Sequence, residues 1–140
     1  MTRTTINLFF ATAALAVATS AASAQSLKAD IPFAFRLGNN VYPAGTYRVD
    51  VTDAHTRIYL LNTETHRTAI TIPTATSDAS RAWRDNGAPM MAFECGLGRC
   101  QLTKMWTGQS GTPALELPRP KSGRDEVATL RLIQLSRNGD

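Results

Sequence analysis

From Leu27 to Leu37 the side chains change character at every step. Leu27, Ala29, Ile31, Phe33, Phe35 and Leu37 alternate with Lys28, Asp30, Pro32, Ala34 and Arg36. Successive side chains of an extended chain point to opposite sides, so a period of two marks a strand with one face on a core. Pro32 falls on the outer face and has no N–H for a ladder. The strand is therefore expected at a sheet edge, or with a bulge at Pro32. A free edge here would be able to pair with another chain.

The rhythm continues downstream. Gly38-Asn39-Asn40 supplies turn chemistry, and Pro43-Ala44-Gly45 punctuates again. Tyr47, Val49 and Val51 then alternate with Arg48, Asp50 and Thr52. Residues 57–61 and 68–72 read as a hairpin joined by Asn62-Thr63-Glu64-Thr65. Residues 74–89 are polar and read as a surface loop, with room for one helical turn around residues 79–84. Residues 90–95 and 100–107 form another strand pair, and residues 114–117 a short strand. Residues 123–136 admit two readings. Ser122-x-x-Asp125 fits a helix-capping box, whereas Val127, Thr129, Arg131, Ile133 and Leu135 alternate with their neighbours and are apolar on both faces. A buried closing strand fits slightly better than a helix. The expected fold is all-β, a single antiparallel sandwich or barrel of about eight strands over residues 25–140. With 19% charged and 43% hydrophobic residues, the chain is neither a disordered tail nor a coiled coil.

The first 24 residues stand apart from this pattern. Arg3 and the terminal amine precede an apolar run over residues 6–18, and Ala22-Ser23-Ala24 offers the small residues a signal peptidase reads. The run is too short to span a bilayer comfortably. A cleaved signal peptide over residues 1–24 is expected, with the cut between Ala24 and Gln25. The protein would then be exported to the periplasm or medium and not span the membrane. Of 15 Lys and Arg only Arg3 would be lost, so the formal charge falls from +4 to +3.

Cys95 and Cys100 flank the glycine-rich Gly96-Leu97-Gly98-Arg99. If the flanking segments pair, Cys95 faces Cys100, Phe93 faces Leu102 and Met91 faces Lys104, since opposed residues share one index sum. An oxidising compartment favours a structural disulfide here. Catalytic dithiols favour a two-residue spacing at a helix start, which is absent. Two cysteines are also too few for a four-thiolate zinc site.

Other chemistry is sparse. His55 and His66 sit at opposite ends of a hairpin with no metal-ligand spacing and read as exposed turn residues. Gly108-Gln109-Ser110-Gly111-Thr112 approaches a nucleophile elbow, but Thr112 stands where the second glycine belongs. Gly96-Leu97-Gly98 begins like a dinucleotide fingerprint and lacks its third glycine. Asp125-Glu126 and the Asp50/Asp53 pair lie in ordinary polar settings. No catalytic residue, cofactor site or metal site is therefore expected. Arg119, Lys121 and Arg124 could form a patch for an anionic envelope surface. Nucleic acid is not an expected partner, because no aromatic residues interleave with the basic ones. Met90, Met91, Met105, Trp83 and Trp106 could line an apolar ligand pocket if the sheet closes into a barrel.

Several segments in order resemble a group of small exported bacterial proteins, abundant in acidobacteria, that carry an Ile-Pro-Phe-x-Phe strand and a Pro-Ala-Gly-x-Tyr turn. Here these are Ile31-Pro32-Phe33-Ala34-Phe35 and Pro43-Ala44-Gly45-Thr46-Tyr47. Lys104-Met105-Trp106-Thr107 and Glu116-Leu117-Pro118-Arg119-Pro120-Lys121-Ser122 are similar to that group's Val-Trp and Glu-Leu-Pro-Lys-Ser stretches, with Arg119-Pro120 inserted. The resemblance implies export and an all-β fold and brings no activity with it. The functional expectation is a non-enzymatic envelope module that supports structure or binds another envelope protein. The alternative is a carrier of a small apolar ligand.

Overall fold

The computed structural model describes residues 26–52, 54–119 and 128–137. The signal-peptide and Ala24–Gln25 cleavage expectations, Asp53, Lys121, Arg124, the Ser122–Asp125 capping box and the Asp125-Glu126 pair lie outside them.

Two sheets pack face to face without closing into a barrel, as an all-β sandwich. The first contains β1 (Ser26–Ile31), β4 (Gly45–Val51), β5 (Ile58–Asn62), β6 (Thr68–Thr71) and β12 (Ser136–Arg137), in the order β12-β1-β4-β5-β6. The second contains β7 (Ala75–Ser77), β8 (Met90–Gly96), β9 (Arg99–Trp106), β10 (Ala114–Glu116) and β11 (Thr129–Gln134), in the order β11-β8-β9-β10-β7. β2 (Phe35–Leu37) joins it by a parallel pairing with β9, and β3 (Asn40–Tyr42) pairs with β2. The described residues thus hold twelve short strands rather than about eight: Pro32 splits the first expected strand, the last is split at Leu135, and β3 and β7 form in stretches read as turn and loop.

The Leu27–Leu37 alternation is the clearest case. It is two strands in two sheets, broken at Pro32, so Pro32 ends β1 rather than bulging it. The parity survives the break: Leu27, Ala29, Ile31, Phe35 and Leu37 are all buried. Alternation reports which face meets the core, and both sheets face the same core. The chain returns at Pro43-Ala44-Gly45, where β3 hands over to β4. Tyr47, fully buried, donates its phenol hydrogen to the Pro43 carbonyl at 2.6 Å and pins this corner. Phe33, Phe35, Tyr42, Tyr47 and Phe93 gather here, with Phe35 at 5.3–5.7 Å from the rings of Tyr42, Tyr47 and Phe93. The Ile-Pro-Phe-x-Phe and Pro-Ala-Gly-x-Tyr segments therefore meet as one aromatic cluster.

In the hairpin of β8 and β9, Cys95 opposes Cys100 and Phe93 opposes Leu102, as the index sum requires. The disulfide between the cysteines spans a Cα separation of 4.0 Å. The turn itself is only Leu97-Gly98, both at positive φ, the backbone that suits a right-twisted two-residue hairpin. Below Phe93 the register shifts, so Met91 faces Met105 and not Lys104. The extra residue is Thr103, buried, whose hydroxyl donates to the Ala92 carbonyl while its own carbonyl accepts from Leu117 N–H. A bulge of this kind leaves one residue without a ladder partner, and Thr103 finds partners elsewhere.

The polar stretch 74–89 holds more structure than a loop. β7 pairs with β10, and α1 (Arg81–Asn86) follows. Ser80 caps α1 by accepting from Trp83 N–H, and Gly87 closes it in the left-handed conformation. Trp83 pins α1 to the outer face of the second sheet, where Ala79, Met90, Ala92, Trp106 and Ala114 form a second small core. At the other end of the chain, β11 is a strand but not a buried one. It lies at the sheet edge with Leu130 and Leu132 exposed; Ile133 packs half-buried against the core, and Leu135, between β11 and β12, is buried in it.

Candidate functional site

The five residues expected to line one pocket lie on both sides of the second sheet. Met91 and Met105 face each other inside the sandwich, fully buried. Trp83, Met90 and Trp106 belong to the small core under α1. Among the described residues the sheets close into no barrel and these five side chains share no cavity; they pack into two separate cores instead of lining a pocket.

A cleft of about 400 Å³ does open beside α1, bounded by Asp78, Arg84, Gly87 and the 108–113 loop. Trp106 is the one predicted pocket residue at its lining, and its ring is 2% exposed, so no aromatic face is offered to a ligand. Its indole N–H is spent on the Thr112 carbonyl at 3.0 Å. Gly108 is required where it stands, since a Cβ there would lie 2.7 Å from Pro89 N. Ser110 is exposed at the rim, and neither histidine lines the cleft. The geometry is that of a packed turn against a short helix.

The other predicted residues are accounted for by local structure. His55 and His66 both adopt positive φ, 53° and 58°, at turn positions that histidine tolerates better than most side chains. Among the described residues no group of three or more His, Cys, Asp or Glu side chains could hold a metal ion. Arg119 pairs with Glu94 at 2.8 Å, Arg131 lies over the Phe33 ring, and Arg137 donates to the Gly108 carbonyl. Each is engaged locally, and no basic patch is assembled from the described residues.

The prominent unpartnered feature is an edge, and not the one expected. β1 lies between β4 and β12, so the Leu27–Leu37 segment is not the free edge. The outer strands of the first sheet are the two-residue β12 and β6, and β6 pairs with β5 alone among the described residues. Ile70 and Ile72 project outward and are 62% and 61% exposed. Tyr59 and Leu61 of β5, half-buried, lie beside them on the same face, with Tyr59 opposite Ile70 and Leu61 opposite Thr68. From Thr68 to Ser77 the chain carries no charge. Exposed edges are ordinarily blunted by charge, by proline or by brevity. β3, β7 and β12 have three residues or fewer, and β11 carries Arg131 at mid-strand. β6, at four residues, is also short but carries neither charge nor proline within its span; Pro73 comes only after Ile72.

How β6 is held follows from its turn. Asn62 Oδ1 accepts from Glu64 N–H at 2.9 Å and Thr65 N–H at 3.0 Å, while His66 N–H donates to the Asn62 carbonyl and Asn62 N–H to the Arg67 carbonyl. The left-handed His66 is thus the last residue of a four-residue hairpin loop over 63–66, and Asn62 stands opposite Arg67 in the same register as the rest of the ladder. Asn62 is 2% exposed and its amide lies close enough to the Tyr47 phenol to favour ionisation there. Burial is the larger effect and pushes the Tyr47 pKa upward. Backbone bonds alternate along an antiparallel pair. Counting from the Asn62–Arg67 bond, Ala69 and Thr71 bond to β5, and Thr68 and Ile70 aim their N–H and C=O groups away from it; Ile72, the first residue past β6, continues that alternation when extended.

Comparison of the chain with protein-family models, with curated proteins and with solved structures returns no match.

Proposed function

We propose that this protein is an exported, non-enzymatic interaction module whose binding element is the β6 edge. The observation that carries the reading is the coincidence of three features at β6 and the residues just after it: outward backbone groups at Thr68 and Ile70, exposed Ile70 and Ile72, and no charge between Thr68 and Ser77. An extended partner strand would satisfy those backbone groups and cover the two isoleucines, the strand-addition mode of recognition. The Cys95–Cys100 disulfide suits an oxidising compartment, in keeping with export. No described helix is long and apolar enough to cross a membrane.

The test is photocrosslinking in an exporting host. A photoreactive side chain replaces Ile70 or Ile72, and Lys28 on the same sheet face but away from β6 serves as the control. The reading expects a discrete covalent adduct from positions 70 and 72 and none from 28. No adduct, or an equal adduct from 28, would overturn it. The intact mass of the same protein tests export, through cleavage before Gln25 and a deficit of about two hydrogens for the disulfide.

A further inference from the structure

We infer that the partner strand on β6 is β6 of a second copy, in a two-fold antiparallel pair centred on Ile70. This rests on the reading of β6 as the binding element and adds the identity of what binds. An isologous interface requires a surface complementary to itself. In an antiparallel pair across a two-fold axis, residue numbers from the two copies share a constant sum. Centring on Ile70 sets Ile70 against Ile70, Thr68 against Ile72 and Ile72 against Thr68.

Thr68 and Ile70 are the β6 positions whose backbone groups point away from β5, and Ile72, one residue past the strand, continues the same alternation when extended. Each pairing can exchange both of its N–H···O bonds, about six bonds in total. A slip of one residue would aim outward groups at inward ones. A slip of two would lose one pairing, because it engages either His66, whose N–H is bonded to Asn62, or Thr74, whose N–H is bonded to the Glu116 carbonyl. Ile72 precedes Pro73, which biases it to the extended conformation that pairing needs. Pro73 itself falls at an inward position, where its missing N–H is no loss to the new ladder.

The side chains agree with the backbone. On the outer face, Ile70 meets Ile70 at the axis with Tyr59 of each copy beyond, giving an apolar row across four strands. Arg67 falls opposite Pro73, so no like charges face one another. Two five-stranded sheets become one continuous sheet, and the exposed isoleucines of both copies are covered together.

The experiment is sedimentation velocity on the full secreted chain across the micromolar range, combined with cysteine variants. Wild type is expected to dimerise. Ile70→Lys, at an exposed position the fold tolerates, puts two cations at the axis and should weaken the dimer by at least about tenfold. Ile70→Cys should yield a disulfide-linked dimer, since directly paired Cα atoms lie about 5.5 Å apart, within disulfide range. Thr68→Cys alone should not, its two copies being about 13 Å apart along the strands. A mixture of Thr68→Cys and Ile72→Cys should cross-link. A wild-type monomer, or Thr68→Cys linking as readily as Ile70→Cys, would overturn the inference. If the chain is monomeric yet a photoreactive group at position 70 captures a different protein, self-pairing fails and the edge reading stands. If position 70 captures nothing, both fail.

Discussion

Removing the Tyr47 hydroxyl and the Asn62 amide, singly and together, should show that the β3–β4 corner and the β5–β6 turn are one polar network. Tyr47→Phe deletes the 2.6 Å bond to the Pro43 carbonyl and leaves the Asn62 amide without the phenol. Pro43 is exposed, so water can replace the lost donor there, and the expected cost is about 1–2 kcal/mol. Asn62→Ala deletes the acceptor for Glu64 N–H and Thr65 N–H and leaves the buried phenol without the amide. Both amides sit in an exposed turn and recover water, so the cost is about 2–3 kcal/mol rather than that of three buried bonds. The amide–phenol contact is lost in either single variant and can be lost only once. The double variant should therefore fall short of the sum by about 1 kcal/mol, the coupling expected of residues in one network. Urea unfolding of the four proteins gives the cycle directly, with the slope against urea unchanged if the fold is intact. Additivity to within about 0.3 kcal/mol would refute the network, because residues that do not interact add in this way.

Further outcomes follow from other parts of the fold. Burial raises the Tyr47 pKa, so above pH 10 the unfolded chain releases this proton first; stability should fall as pH rises from there to the folded pKa, and Tyr47→Phe should flatten that slope in pH-dependent urea titrations. Replacing both cysteines, Cys95→Ala with Cys100→Ala, should cost about 2 kcal/mol by the chain-entropy relation for so short a loop, and lower the melting temperature by about 9 °C. Leu97 is 83% exposed at φ 51°, so Leu97→Asn should relieve left-handed strain and stabilise by about 1 kcal/mol in thermal melts. Trp83→Ala should cost about 3 kcal/mol and abolish hydrogen-exchange protection of Gly87 N–H, which bonds to the Trp83 carbonyl.

The alternation of Leu27 to Leu37 announces β structure and names the core residues correctly, yet it hides the passage between sheets. Parity is a property of faces, and two sheets sharing a core preserve it across a break. The same limit explains Met91. An index sum predicts register only until a bulge, and nothing in Leu102-Thr103-Lys104 marks Thr103 as the residue that steps out, since its reward is a bond to Ala92 across the hairpin. β7 was obscured because Ala75-Thr76-Ser77 has no apolar alternation and takes its place by pairing with β10. The pocket expectation failed on sidedness. Met90 and Met91, or Met105 and Trp106, are adjacent in sequence and so point to opposite faces of one sheet. The β6 edge left a readable signal, ten uncharged residues with Ile70 and Ile72 in alternation, but an edge is defined by what does not pair. Which strand lacks a neighbour depends on the order of the whole sheet.

The polar network and the exposed edge are two ends of one hairpin, and the first determines what the second presents. Asn62 fixes the length of the turn, the left-handed His66 closes its four-residue loop, and β6 thereby enters its ladder with Ala69 and Thr71 inward. Shift that entry by one residue and every side chain changes face: Ile70 would turn into the core and Ala69 out of it. The outward backbone groups would move by one as well, from Thr68 and Ile70 to Ala69 and Thr71. A buried asparagine is an expensive way to close a hairpin that a glycine turn could close as well. Its location beside Tyr47 ties the turn to the aromatic corner, so the register of β6 is set by the core rather than by the loop alone. A partner that reads β6 by backbone pairing needs that register. Asn62→Ala should therefore impair cross-linking from Ile70→Cys more than its loss of stability explains. Cross-linking retained in full in the folded fraction would separate the two ends of the hairpin.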